Sequence, residues 1–529
     1  MPSSRNVLLI PELATLVTRY STRQDCARLL QTCRLLYDIA TPFVWEHVPC
    51  AKYLLLLLDG AFVPSQYGGA PKNPGVCLED CYENSNSFMR FDLYAPHVKH
   101  LDVYGPTGVI FKVTGWKVLV ARSQRQLLLP NLQTMTIMTT CNSSGPYQPM
   151  WVGTFSSPSL VNLEITADNL SNAPTISYHA ASFIMKSLTA HCPKIKRLGL
   201  FPYSIDGDHA EDAESSLLAF LSGDKFYEYV STLTSLIHLS CTFAWLQVPA
   251  LRILGRLPHL ESIAVCGVDH ADDISELTED LFPMLHRLTL HGSSCSNTLE
   301  TLGTLSMVKN LTLLHVKLDI DTEDLDIDED VWLAEEFSPL LLNAPRLTDV
   351  KIDADSSHNR GDGVKIGESV LRIFQRLPLK SLHLDAISLS NEALRFDLAS
   401  VWPSVTHLKL PQQDASMTTI SCFATLPELR HLELRLDFYY PPHEFSPTVS
   451  PLVILEASFG SAICSNFEDM DRIAHTLLDI FPKLTRIAWA GDQLPALAVQ
   501  PAIERVGFLN GHLSTLRELQ ALKKLSTVP

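Results

Sequence analysis

The chain is poor in the features that mark a membrane, secreted or nucleic-acid-binding protein. Its longest unbroken apolar run, Tyr53 to Leu58, is far short of the roughly 20 residues a bilayer span requires. Its 12 cysteines are scattered from Cys26 to Cys464 without paired spacing, and no charged-then-apolar leader stands at Met1. A disulfide framework is therefore not expected, the sequons at Asn142, Asn169 and Asn310 lack a secretory context, and the expected location is cytoplasmic and/or nuclear. Cations are in deficit too, with 41 Lys and Arg against 58 Asp and Glu and a net charge of −17. Phosphate contacts need the opposite balance, so neither nucleic acid nor a membrane is an expected partner.

Signatures of catalysis are also missing. There is no G-x-S-x-G elbow and no H-E-x-x-H pair. Gly361 to Gly367 precedes a helix like a phosphate-binding turn, but it lacks the G-x-G-x-x-G spacing and the Lys-Ser/Thr ending of a P-loop, and a loop between repeats is the better reading. Asp326, Asp328 and Asp330 have calcium-loop spacing, yet Val331 and Phe337 stand where Gly and Glu are needed, which leaves a solvated acidic loop. Cys77 and Cys81 have no companion ligand pair and read as ordinary thiols. The expectation is a protein that is not an enzyme, with no catalytic residue, metal or cofactor.

At 529 residues and 46% hydrophobic content the chain exceeds what one core holds, so it is either several domains or an array that grows by repetition. Repetition is what it contains. The phrase Pro-x-Leu-x-x-Leu-x-Leu recurs clearly at Pro158, Pro193, Pro283, Pro403 and Pro427, and more weakly at Pro96, Pro130, Pro258, Pro345, Pro482 and Pro501. Thr234 and Lys309 replace the proline in two copies, the copy at Pro378 is one residue short, and that near Pro451 has decayed. The closing Leu-x-Leu has the period of a half-buried strand, while stretches such as Ala181–His191 before it have helical spacing. Proline closes each helix and turns the chain into the next strand. The pattern resembles a leucine-rich repeat solenoid, which implies a parallel sheet on a concave side and helices on the convex side. The usual Asn or Cys after the strand is mostly absent here.

With the two closing leucines inward, the residue before them and the residue between them face out from the sheet. The first of these slots holds His100, Arg197, His238, Arg287, His407, His431, Arg486 and Arg505. This basic-leaning row on an acidic protein marks a candidate substrate face for an acidic or phosphorylated segment, against the plainer reading of a solvated strand face.

The first fifty residues break the pattern. Pro11 and Glu12 suit the first turn of a helix carrying Leu13, Leu16, Val17 and Tyr20 at helical spacing. Thr22 and Asp25 form a capping signal for a second helix with Cys26, Leu29, Leu30, Cys33 and Leu36 on one stripe, expected to run to Thr41-Pro42. So short a unit makes a poor core, so some of its apolar surface is expected to meet a partner or the next segment. Ile10-Pro11-Glu12-Leu13, Leu16, Asp25, Leu29-Leu30, Cys33-Arg34 and Trp45 are similar to the F-box motif, with Leu36 where many members have Trp and Tyr20 where an apolar residue closes the first helix. The order, helical motif then repeats, resembles fungal-type F-box proteins with leucine-rich repeats. That resemblance implies a substrate receptor of an SCF-type cullin-RING ubiquitin ligase. Pro11, Leu13, Leu16, Leu29, Leu30, Cys33 and Trp45 would dock on a Skp-type adaptor with its cullin scaffold, while the repeats hold a protein substrate. The alternatives are a helical cap on a repeat scaffold with no ligase role, and an enzyme hidden in the insertions at 51–95 or 201–232. The α/β chain thus divides into an F-box-like motif (1–50), a linker or irregular first repeat (51–95), the repeat solenoid (96–508) and a C-terminal capping helix (509–529), whose apolar period runs from Leu513 to Leu525.

Overall fold

The phrase Pro-x-Leu-x-x-Leu-x-Leu produces one local structure nearly everywhere it occurs. Its proline opens a turn, its third residue is buried beneath that turn, and its closing residues enter a strand with both leucines inward. In the copy at Pro193, Ile195, Leu198 and Leu200 are at most 1% exposed while Arg197 stands in solvent. Every copy from Pro96 to Pro482 becomes a strand, including those that begin at Thr234 and Lys309, the short one at Pro378 and the decayed one at Pro451. The copy at Pro501 does not. It lies inside a helix spanning Ala496–Ser526, so the C-terminal helix begins well before Leu513. The helical spacing of buried Val506, Leu509 and Leu513 overrides the phrase there.

The computed structural model describes residues 10–64, 75–81, 86–105, 108, 110–139, 147–167, 176–203, 226–242, 245, 248–266, 281–293, 306–319, 329–355, 364–438, 448–464, 466–490 and 496–526. Asn142, Asn169, Asp326, Asp328, Gly361 and most of 201–232 lie outside them. The chain forms two compact units, Met1–Gly267 and Val268–Pro529. In the first, strands β1 (His47–Val48), β2 (His100–Asp102), β3 (Thr134–Thr139), β4 (Asn162–Ala167), β5 (Arg197–Leu200), β6 (His238–Thr242) and β7 (Ser262–Cys266) pair in parallel in chain order. In the second, β8 (Arg287–Ser293), β9 (Leu313–Asp319), β10 (Asp349–Asp355), β11 (Ser381–Asp385), β12 (His407–Ala415), β13 (His431–Phe438), β14 (Ile454–Ala457) and β15 (Arg486–Trp489) do the same. Parallel neighbours require a crossover, and helices such as Tyr178–His191 and Phe467–Ile480 supply it, burying Ile184 and Leu188 or Ile473 and Leu477 against the strands. Each unit has the leucine-rich repeat fold.

One backbone arrangement fixes the register. The carbonyl of the phrase residue just before the strand accepts two successive N–H groups from the next repeat: Lys196 and Arg197 both donate to Val161, Ile237 and His238 to Lys196, Thr406 and His407 to Lys380, and Arg430 and His431 to Thr406. Where that residue is threonine, its hydroxyl adds a third donor, as from Thr348 to the Thr312 carbonyl at 3.2 Å and from Thr406 to the Lys380 carbonyl at 3.0 Å.

Ahead of β1 stand helices α1 (Pro11–Tyr20), α2 (Arg23–Leu29) and α3 (Arg34–Trp45). Thr22 caps α2 as expected, accepting from the Asp25 amide at 3.2 Å. The single second helix expected from the stripe Cys26 to Leu36 is instead broken in two. Thr32 donates its hydroxyl to the Leu29 carbonyl at 2.8 Å, and Cys33 adopts an extended backbone at the start of α3. Nor does the helix stop at Thr41-Pro42, since α3 continues through Pro42 to Trp45. Segment 51–95 holds helices Ala51–Leu55 and Met89–Tyr94, and its strand Val76–Cys77 pairs with Val113–Thr114.

Two motifs set aside as chemistry meet in the second unit. Asp330, from the acidic run, accepts the amides of Gly367, Ser369 and Val370 at 2.6, 3.0 and 3.2 Å, and so occupies the N-terminus of helix Glu368–Phe374, where a phosphate would sit. A side chain at Gly367 would come within 2.9 Å of that carboxylate, which explains the glycine. Replacing Asp330 by Ala is expected to cost about 1–2 kcal/mol, read as a lowered urea midpoint with an unchanged slope.

Candidate functional site

The N-terminal helices present an apolar ridge. α1 packs through its small face, with Ala14 and Thr18 at most 1% exposed. Thr18 bonds back to the Ala14 carbonyl, and the Cys26 thiol donates to the Thr18 carbonyl. The large side chains turn the other way: Leu13, Leu16, Val17 and Tyr20 are 39%, 51%, 41% and 82% exposed, with Ile10 at 46%. Pro11 begins the helix and is exposed. Cys33 is exposed at the start of α3, whereas Leu29 and Leu30 are half-buried. Trp45 is half-buried and makes a contact within the chain. Its ring stacks on Tyr94 at 4.5 Å, and Tyr94 shares a 2.7 Å hydroxyl contact with Tyr37, so Trp45 ties the helical unit to the first repeat.

The candidate substrate residues occupy the strand starts. His100, Arg197 and His238 fall in one lateral row of the first unit, aligned with Thr134, Asn162 and Ser262. Arg287, His407, His431 and Arg486 fall in one row of the second, alongside Leu313, Asp349, Ser381 and Ile454. Arg197, Arg287, His407 and Arg486 are exposed, and the rest are half-buried. Arg505 does not join this row, because it lies in the C-terminal helix and donates to the Ile463 carbonyl at 3.0 Å.

The denser charge lies one row further in, in the slot between the closing leucines. Across the second unit that row reads Thr289, His315, Lys351, His383, Lys409, Glu433, Glu456 and Ala488. Beyond it lie His291, Lys317, Asp353 and Asp385. These groups pair across strands. Lys409 reaches Glu433 at 2.7 Å and Glu456 at 3.2 Å, and Glu456 also meets His431 at 2.7 Å. Asp353 is held by His315 and Lys351, each at 2.8 Å. The His431 bond, followed by the Lys409 charge, lowers the Glu456 carboxyl to about 2 against the effect of burial. Burial raises Asp353, but His315 and Lys351 outweigh it and bring that carboxyl to about 2. Burial, reinforced by nearby cations, takes His291 and His383 down to about 4, so both rings are neutral at pH 7. The basic surplus expected of the first row is therefore tempered, since His431 is engaged by Glu456 and Asp349 sits in the same row. The phrase itself signalled this second row, because the slot between its leucines also faces outward.

Among the described residues no helix is long and apolar enough to cross a membrane. No protein-family model matches the chain, and no curated protein matches it in sequence. Solved structures similar to it include an internalin from Listeria monocytogenes, at 13% identity and a TM-score of 0.30, covering 72% of this chain and 90% of that one. Another is TLR13 in complex with ssRNA13, at 12% identity and 0.33, covering 75% of this chain and 62% of that one. A third is the yeast Rad7 and Elc1 complex, at 14% and 0.27, covering 60% of this chain and 85% of that one. Similarity at this level does not transfer function.

The Glu456 network makes a pH-dependent contribution whose sign is fixed. A carboxyl lowered from 4.5 to about 2 by folding stabilises the fold fully above pH 4.5 and loses that contribution as pH falls toward 2. Replacing Glu456 by Gln is expected to cost about 1–3 kcal/mol near pH 7. Urea unfolding at several pH values should show the gap to the unaltered chain closing between pH 4.5 and about 2.

Proposed function

We propose that this chain is a non-catalytic substrate receptor of a cullin-RING ubiquitin ligase, docking on a Skp-type adaptor through α1 to α3 and holding a protein on the outward face of its repeat sheets. The observation that carries the reading is the ridge of Leu13, Leu16, Val17 and Tyr20, which stands in solvent and includes Leu13 and Leu16 of the residues that resemble the F-box motif. An amphipathic helix that served only as a cap would turn such a face onto the first repeat, whereas α1 packs with Ala14 and Thr18 and offers its large side chains outward. Leu29 and Leu30 are half-buried at the end of α2, and Trp45 stacks on Tyr94.

The mechanism is positional. An adaptor grips one end, the sheet face presents a bound protein, and the gain comes from the raised effective concentration of its lysines near a recruited conjugating enzyme. The outward rows of the second unit suit a partner of mixed charge, because Lys351 and Lys409 stand beside the carboxylates Asp353, Glu433 and Glu456 and both lysines remain partly exposed.

Capture of a purified Skp-type adaptor by the full chain, compared with the Leu13→Asp/Leu16→Asp variant, tests this reading. Both positions are exposed, so the variant is expected to keep its circular dichroism and melting temperature while adaptor affinity falls about 100-fold or more, since a charge placed in an apolar contact must be desolvated. If the unaltered chain captures no adaptor, the protein is a repeat scaffold outside the ligase.

A further inference from the structure

We infer that the outward sheet face of the second unit binds a divalent transition-metal ion through Asp353, His383 and Asp385. The three come from adjacent parallel strands, β10 and β11, where Asp353 aligns with Asp385 and Lys351 with His383. One ligand atom from each lies within 4.8 Å of the others. Ligands about 2.1 Å from a common tetrahedral ion stand about 3.4 Å apart, so side-chain rotation brings them to coordination distance with the strands in place.

A second observation points to the same spot. Asp353 Oδ2 is occupied by His315 Nε2 and Lys351 Nζ, yet Asp353 Oδ1 is buried and has no hydrogen-bond partner. A buried charged oxygen left without a donor is costly, and a cation bound to it would remove that cost. The surroundings already resemble a support for a metal ligand. His315 orients the Asp353 carboxylate, and Asp385 Oδ1 accepts the Ala386 amide at 3.0 Å, which leaves Asp385 Oδ2 to turn toward an ion. Lys351 works against binding, because its ammonium sits beside the ligand carboxylate.

The donor set selects the kind of ion. One imidazole with two carboxylates suits zinc, and less closely manganese, iron or cobalt in their divalent states, rather than calcium, which takes oxygen ligands throughout, or cuprous copper, which takes thiolates. Three protein ligands leave a coordination position open. It would lie on the face where the repeats hold a partner, so a histidine or carboxylate of that partner can complete the shell. The metal site itself does not depend on the ligase reading.

The test is a calorimetric titration of zinc chloride into the chelator-treated full chain in a non-coordinating buffer. One ion per chain is expected at this site, with affinity falling at least tenfold in both His383→Ala and Asp385→Asn. Lys351→Met is expected to bind more tightly, a direction that a merely structural role for these residues would not produce. Asp385→Asn preserves shape, so it reads the site even if His383→Ala unfolds, and circular dichroism establishes which variants are folded. Zinc that binds both ligand variants as it binds the unaltered chain, or an unaltered chain that takes up none, overturns the inference.

Discussion

The fold depends on a backbone carbonyl that is shared. In repeat after repeat, the residue just before each strand offers its carbonyl to two successive amides of the next repeat, as Lys196 does to Ile237 and His238 and as Thr406 does to Arg430 and His431. The contact uses no side chain, so it tolerates any residue with a backbone N–H at that position and survives the sequence drift that has eroded the phrase. It also fixes register at one height in every strand. A slip by one residue would turn the buried leucines to solvent and is excluded on the apolar face as well. The backbone and the leucines thus specify the same pairing by independent means, which is the condition for an array to grow by addition of similar units.

A fixed register has a chemical consequence. Side chains from phrases separated by tens of residues come to lie in straight lateral rows about 4.8 Å apart from strand to strand. At that spacing like charges repel unless they pair with opposite charges on nearby strands or lose their charge. The second unit does both. Lys409 lies between His383 and Glu433 in its row and is anchored by Glu433 and Glu456, while His291 and His383 are neutral because burial and neighbouring cations disfavour their charged forms. The first unit carries less charge in the corresponding row, where Asp102 and Glu164 stand among Thr136, Gly199, Ser240 and Ala264. Chemical capacity is therefore concentrated in the second unit although the backbone pattern is common to both.

Much of the fold was legible in the phrase because the phrase is a direct record of burial. Each of its apolar positions is an inward-facing site, so even the copies at Thr234 and Pro451, which lost the proline or several leucines, still became strands. What escaped was decided by competition between local patterns. At Pro501 a helical spacing of buried residues outweighed the phrase. Between Leu29 and Arg34 a threonine hydroxyl captured the carbonyl that would have continued the helix. The sheet also began earlier than expected, at His47, where no phrase announces it. The row at the strand starts was legible from spacing alone, but the partners of those residues were not. Whether His431 is free or held by Glu456 depends on which strand lies beside it.

The same reasoning explains why a cross-strand cluster such as Asp353, His383 and Asp385 does not take the form of a short sequence motif. A motif records ligands that one helix or loop brings together, at spacings of a few residues. On a parallel repeat sheet the nearest neighbours of a side chain are two residues away along the strand and one whole repeat away across it. His383 and Asp385 are the first kind, and Asp353 with Asp385 the second. A search confined to short spacings finds only a fragment of such a cluster, and the intervening helix and loops are free to vary in length without moving the ligands. The register set by the shared carbonyl, rather than local sequence, is what holds a cross-strand site together. A function carried on these rows is accordingly sensitive to changes that disturb pairing at the strand starts, far from any ligand in the sequence.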